Sequence, residues 1–169
     1  HVNYSTYYML NADQNTGKRN LLWQDLNFDV ERQWSKKVKT TFLFSRQEWN
    51  PNHGWDEETY ASNIFVGDFT YKFNRKHSLR VEGQYLYSQD YQGDWVAGLV
   101  EYSFAPRWSF YFQNMYNLGD ENEGEHKPLD EFGKPLKVYY YQGGFSYPKN
   151  RTRIQLSYGR NRAGYICSG

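Results

Sequence analysis

The chain has 169 residues, a formal net charge of +1 and 20% aromatic side chains, including 17 Tyr, 11 Phe and 6 Trp. The near-neutral charge gives no global electrostatic case for binding nucleic acid, and the aromatic content argues against disorder. Only 38% of the residues are hydrophobic, which is low for a domain with a large dry core and suits sheets with one apolar and one wet face.

Nine segments alternate between apolar and polar residues with a period of two, which is the pattern of half-buried β-strands. The second segment shows the pattern well, with Phe28 and Val30 at even positions and Asp29 and Glu31 at odd positions. No apolar repeat at helical spacing has convincing caps, so we expect no helix. In chain order, the predicted strands lie near residues 4–10, 22–34, 37–45, 65–74, 79–88, 96–104, 108–117, 139–147 and 153–161.

The connections between these segments alternate in length. Short turns are expected at 34–37, 74–77, 105–107 and 148–151, and long polar connections at 11–20, 46–62, 88–94 and 117–137. Outer-membrane barrels are built in this way, with tight periplasmic turns and longer extracellular loops. The predicted strands are also longer than the roughly 5–6 residues of soluble strands and match the roughly 9–11 residues of a tilted membrane strand.

The sequence therefore predicts an all-β fold, an antiparallel transmembrane β-barrel with short periplasmic turns and long extracellular loops. Residues 1–169 are expected to form a single domain that is part of a larger barrel. Nine crossings would finish on the long-loop side, whereas single-chain bacterial barrels usually have an even number of strands. We therefore expect at least one further strand, with segments missing at both ends.

The two faces of the predicted strands have different expected surroundings. The face with Phe69 and Phe112 is expected to meet lipid, and the opposite face is expected to line a charge-balanced lumen. Charges on that face could not sit in a packed core without partners. The residues expected to face the lumen are Asp25, Asp29, Glu31, Asp68, Arg80, Glu82, Glu101 and Arg153.

Aromatic residues near the strand ends predict two girdles, because flat amphipathic rings are favoured between headgroups and hydrocarbon. Strand-end aromatic residues can also cap a soluble sheet, and the strand lengths favour the membrane interpretation. The predicted girdle consists of Trp34, Phe73, Phe104, Trp108 and Tyr147 at the short-turn end, and Trp23, Tyr87, Trp95, Tyr116 and Tyr139 at the long-loop end.

Motifs for catalysis, metals or cofactors are absent from the sequence. No spacing singles out one carboxylate pair, the histidines are scattered, and no nucleotide-binding or nucleophile motif occurs. The sequence predicts no enzyme, no metal and no cofactor. The segment from Trp49 to Trp55 pairs two Trp with polar groups, and it could stack on sugars, anchor a partner protein or fold inward.

Two stretches resemble a known family. They are 77–117, which contains Gly93-Asp94-Trp95, and 157–167, which ends in Ile166-Cys167. Both are similar to the C-terminal half of a Bacteroidetes-type family of outer-membrane β-barrel proteins of unassigned function. The resemblance covers roughly the last 90 residues well. It implies a location and no activity, and it implies that Cys167 pairs with a cysteine outside this chain.

The expected role is that of an outer-membrane β-barrel protein, either a porin-like pore or a membrane-embedded scaffold subunit. The expected location is the bacterial cell outer membrane. The expected partners are outer-membrane lipid and other outer-membrane or surface proteins that contact the long loops, with no nucleic acid. A soluble β-sandwich that binds carbohydrate through Tyr and Trp is the alternative, and a barrel enzyme with its site among the long loops is a further rival.

Overall fold

Every strand pairs with the strands that precede and follow it in the chain. The computed structural model describes residues 1–10, 18–53, 55, 57–89, 93–119, 138–149 and 152–160. These residues form one antiparallel sheet of nine strands in the order β1 to β9. The strands are β1 (Val2–Tyr8), β2 (Leu21–Gln33), β3 (Val38–Trp49), β4 (Tyr60–Lys72), β5 (His77–Ser88), β6 (Asp94–Phe104), β7 (Trp108–Gly119), β8 (Tyr139–Lys149) and β9 (Thr152–Arg160).

The number of strands and their antiparallel pairing confirm the prediction. Among the described residues, no helix is long or apolar enough to cross a membrane. Closure of the sheet is not observed in this part of the chain, since β1 and β9 are its two edges. The barrel, as opposed to an open sheet, therefore goes beyond what the structure describes.

Some boundaries differ from the predicted ones. The long connection predicted at 46–62 is shorter, because β3 continues to Trp49 and β4 begins at Tyr60, with these two residues paired. Their rings lie 6.3 Å apart, so ring contact extends the ladder where sequence polarity suggested a loop. At the short-turn end, β8 likewise continues through Pro148 to Lys149.

The register keeps apolar residues opposite apolar residues. Across the middle of the sheet, Phe28 pairs with Phe44 and Phe44 pairs with Phe65. Phe65 in turn pairs with Tyr85, and Tyr85 with Val96. Because side chains alternate between the two faces of a strand, these pairings collect apolar residues on one face and polar residues on the other. We call these the apolar face and the polar face.

The apolar face is the more exposed of the two. Phe69 is 43% exposed and Phe112 is 49% exposed, whereas Ser62 and Ser88 on the polar face are 2% and 5% exposed. Leu43, Val66 and Leu99 are half-buried although they lie on the polar face. The two faces of a flat sheet would be about equally exposed, so this difference indicates a sheet curved around its polar face.

No conventional core fills the described part of the molecule. Trp95 is its one buried hydrophobic side chain, at 7% exposure. No second layer among the described residues covers the apolar face, which explains why so many Phe, Tyr and Val side chains there remain accessible. Soluble domains normally bury such a face against a second layer of secondary structure.

Candidate functional site

Arg80 lies at the centre of a charged cluster on the polar face. Its Nε donates to Asp68 on β4, and its Nη2 donates to Glu82, which lies with Arg80 on β5. Glu101 lies directly opposite Arg80 on β6 and accepts a hydrogen bond from Ser109 Oγ at 2.5 Å. The register places Asp68 and Glu82 directly opposite each other, so the guanidinium separates two carboxylates that would otherwise repel.

A second ion pair extends the charged surface toward β2. Lys39 Nζ lies 2.8 Å from Glu31 Oε2, and both side chains are about half exposed. Between this pair and Arg80 lies a depression of about 400 Å³, whose lining includes Thr41, Val66 and Thr70. An ion pair between accessible side chains contributes little to the stability of the fold. Its main effect is therefore on the local electrostatic potential.

All of the residues predicted to line a lumen share the polar face. Asp29 pairs with Leu43 and Leu43 with Val66, which places Asp29 in the same face as Asp68 two residues away. Arg153 reaches the same face on β9, where it pairs with Pro148. The set that the structure brings to this face is Asp25, Asp29, Glu31, Asp68, Arg80, Glu82, Glu101 and Arg153.

Aromatic contacts concentrate at the short-turn end of the apolar face. Trp108 lies 4.6 Å from Tyr147, measured between ring centroids, and is stacked on Phe110 at 5.9 Å. Trp34 donates from Nε1 to Thr40 Oγ1 at 2.9 Å and carries the Arg32 guanidinium 4.0 Å above its ring. Ring pairs and cation–π contacts such as these add to the stability that the burial of apolar surface provides.

Most of the predicted girdle residues share the apolar face, but two do not. Trp23 alternates with Gln24 on β2 and so lies on the same face as Asp25, while Trp95 lies on the same face as Glu101 and is buried. Both therefore lie on the polar face, opposite the other predicted girdle residues. The predicted girdle residues that share the apolar face are Trp34, Phe73, Phe104, Trp108, Tyr147, Tyr87, Tyr116 and Tyr139.

Trp23 belongs instead to a row of rings across the long-loop end of the polar face. Tyr7 pairs with Trp23, Trp23 with Trp49, and Trp49 with Tyr60. The Trp23 and Trp49 rings are stacked with centroids 6.2 Å apart. We call Tyr7, Trp23, Trp49 and Tyr60 the aromatic shelf. Trp49 was considered as part of a loop, and Tyr7 and Tyr60 were not predicted as site residues. Trp23 and Asp25 both occupy odd positions of the alternating pattern, so the sequence could have placed Trp23 on the polar face.

A second ring pair occupies the same face further along the sheet. Trp95 is stacked on Tyr140 with centroids 6.1 Å apart, and the Arg160 guanidinium lies 5.5 Å from the Tyr140 ring centroid. Next to Tyr140 is a depression of about 170 Å³ whose lining includes Gln113 and Gln142, hydrogen-bonded to each other at 2.7 Å. Rings and amides thus alternate on this part of the polar face.

Within the part of the chain that the structure describes, no group of His, Cys, Asp and Glu is arranged to hold a metal ion. Cys167 and its expected disulfide lie outside the described residues. Trp55, from the segment for which stacking on sugars, anchoring of a partner protein and folding inward were left open, is 82% exposed.

Together these features define an all-β protein in which one antiparallel sheet separates an exposed apolar face from a charged, curved polar face. The chain belongs to a family of unknown function, DUF6029, which it matches over residues 1–169. The match covers the whole chain, whereas the resemblance covered its last part best, and it does not identify a Bacteroidetes outer-membrane barrel family. No curated protein and no solved structure matches the chain.

Proposed function

We propose that this sheet is part of a transmembrane β-barrel in the outer membrane of a bacterium. The observation that carries the proposal is the reversal of the usual arrangement, with Phe42, Phe69 and Phe112 accessible and the carboxylates of Asp68 and Glu82 on the more buried face. Hydrocarbon solvates an apolar face as well as a protein core does. Each square ångström of apolar surface removed from water contributes roughly 25 cal/mol to the free energy of transfer.

Strand length supports the same proposal. The 12 residues of β3 extend about 40 Å at roughly 3.3 Å per residue, and a tilt of about 45° reduces this to roughly 28 Å along the membrane normal. That height is close to the roughly 25 Å apolar band of outer-membrane barrels. The outward rings of Trp108 and Tyr147 at one end, and of Tyr116 and Tyr139 at the other, lie where headgroups would begin.

In this membrane, the chain would act as a pore or channel, or as a scaffold subunit whose long connections contact other outer-membrane or surface proteins. A polar face lined by both carboxylates and basic groups suits a water-filled interior. The alternative β-sandwich would need a second sheet over Phe69 and Phe112, and the described residues contain one sheet. Among the described residues of the polar face, no arrangement favours an enzyme.

Vesicle flotation tests the membrane proposal. The full chain, refolded from urea in the presence of phospholipid vesicles, is expected to float with the vesicles and to stay with them through an alkaline carbonate wash. Planar-bilayer recording then separates the two roles, since a pore gives discrete conductance steps and a plugged scaffold gives none. A chain that folds as a soluble monomer without lipid or detergent would contradict the membrane assignment.

A further inference from the structure

The aromatic shelf places large rings on a face that is otherwise polar. Tyr7 is 60% exposed and Trp23 is 36% exposed, while Trp49 and Tyr60 are half-buried. Accessible aromatic rings next to carboxylates and amides offer a flat surface on which a ligand can stack. The Trp23 and Trp49 ring centroids lie 6.2 Å apart with the planes 30° apart, so the two indoles are neighbours across β2 and β3.

A row of hydrogen-bonding side chains runs beside the shelf, two residues further along each strand. Ser5 pairs with Asp25, Asp25 with Gln47, and Gln47 with Ser62. Two residues correspond to about 6.6 Å along a strand, so a carboxylate, an amide and hydroxyls flank the rings on the same face. Asp25 is oriented by Asn27, whose Nδ2 donates to it, and the Ser62 and Ser88 hydroxyl oxygens lie 2.7 Å apart.

Rings beside acceptors and donors match the surface of a sugar, which has apolar C–H faces and a rim of hydroxyl groups. The C–H face can lie on the indole rings while the hydroxyls bond to the carboxylate and the amide. A nucleotide could also stack, but its phosphate would meet Asp25 and the row contains no cationic side chain to bind it. The chemistry of the row therefore favours a neutral ligand.

We propose that the aromatic shelf, together with Ser5, Asp25 and Gln47, binds a neutral oligosaccharide. The shelf crosses neighbouring strands side by side, so successive sugar rings would stack on Trp23 and Trp49 along one line. The proposal concerns the polar face alone. It holds whether lipid or a protein layer covers the apolar face, and it goes beyond a pore or scaffold by naming a ligand class.

The test uses the full chain in micelles of dodecyldimethylamine oxide, a detergent that carries no sugar headgroup. Maltohexaose, cellohexaose and xylohexaose are titrated by calorimetry, with a polyethylene glycol of similar length as a non-sugar control. We expect at least one of the three sugars to bind with a Kd of about 1 mM or tighter. Trp23→Ala and Trp49→Ala should each weaken that binding by roughly tenfold, the effect of losing one stacked ring.

Trp34→Ala is the matched control, because Trp34 is an exposed Trp on the apolar face at the opposite end of the sheet. Asp25→Asn preserves the shape of the side chain and should weaken binding several-fold in a variant whose far-ultraviolet circular dichroism is unchanged. This second variant keeps the test decisive if Trp49→Ala does not fold.

Three results would overturn the proposal. They are no binding of any of the three sugars at 10 mM or so, binding that the shelf variants leave unchanged, and an equal loss in Trp34→Ala. Flotation of the same protein is measured separately. A chain that binds sugar and does not insert into vesicles would therefore contradict only the membrane proposal, and the reverse result would contradict only the sugar site.

Discussion

Arg80 on β5 donates its Nε hydrogen bond to Asp68 on β4, diagonally across the polar face. The same guanidinium donates to Glu82, which stands directly opposite Asp68 in the register. One cation therefore bridges two carboxylates on neighbouring strands and offsets their repulsion. Glu101 faces the same cation from β6. This arrangement gives the first prediction.

Arg80→Gln should lower the free energy of unfolding by about 1–2 kcal/mol, because it removes charge-assisted hydrogen bonds and leaves Asp68 and Glu82 facing each other. The Arg80 side chain is 43% exposed, so solvent screening keeps the loss modest. Adding Glu82→Gln to this variant should recover part of the loss. Urea unfolding in micelles measures both, and a double variant less stable than Arg80→Gln would show that repulsion is not the cause.

Glycines on β8 and on the central strands should respond differently to Ala. A Cβ added at Gly144 would lie 2.6 Å from the Leu156 carbonyl oxygen and 2.8 Å from Tyr111 Cε1. Gly144→Ala should therefore destabilise the protein by about 1–3 kcal/mol through overpacking.

Gly67→Ala and Gly83→Ala are the matched controls, since a Cβ at either position meets nothing within 4 Å. Both should be neutral or slightly stabilising, because Ala loses less backbone entropy than Gly on folding. Thermal unfolding compares the three variants. An equal loss at Gly144 and Gly67 would mean that the strands do not pack as described.

The two faces of β7 should tolerate charge very differently. Phe112 lies on the apolar face and Gln113 on the polar face, where it is hydrogen-bonded to Gln142. If Phe112 lies near the bilayer midplane, Phe112→Arg should cost roughly 2–4 kcal/mol of stability in vesicles. Gln113→Arg should cost much less, because water is expected on the polar face. Equal losses at the two adjacent positions would argue against a division between lipid and lumen.

Opposite ends of the sheet should differ in accessibility on intact cells. The alternation of long and short connections predicts that an epitope inserted after His53, between β3 and β4, lies outside the cell. An epitope inserted after Arg75, in the short connection between β4 and β5, should bind antibody only after the outer membrane is permeabilised. Labelling of both sites on intact cells would contradict the expected orientation.

Most strand positions and faces were predictable because apolar and polar residues mainly alternate with a period of two. Phe28 and Val30 alternate with Asp29 and Glu31 in the sequence, and the register confirms that alternation. The same parity places Trp23 with Asp25 and Trp95 with Glu101. Their assignment to the outward girdle followed their positions at strand ends, whereas the face of the strand decides which way a ring points.

Partners on neighbouring strands were not predictable, since they depend on the register between strands. Nothing in the sequence near Arg80 singles out Asp68, and a shift of one residue would have moved the pair to opposite faces. The aromatic shelf has the same origin. Tyr7 meets Trp23 because β1 pairs with β2 across a long connection, and the register shifts directly afterwards, between Tyr7 and Tyr8.

Spin-label accessibility can distinguish lipid from water or a protein layer around the apolar face. Nitroxides are attached at Phe112→Cys and Gln113→Cys in a Cys167→Ser background, with the full chain in phospholipid vesicles. If lipid surrounds the apolar face, the label at position 112 collides mainly with dissolved oxygen, which concentrates in hydrocarbon, and the label at 113 mainly with a water-soluble nickel complex. A label at 112 that is shielded from both, or that meets the nickel complex, would show that lipid does not surround this face.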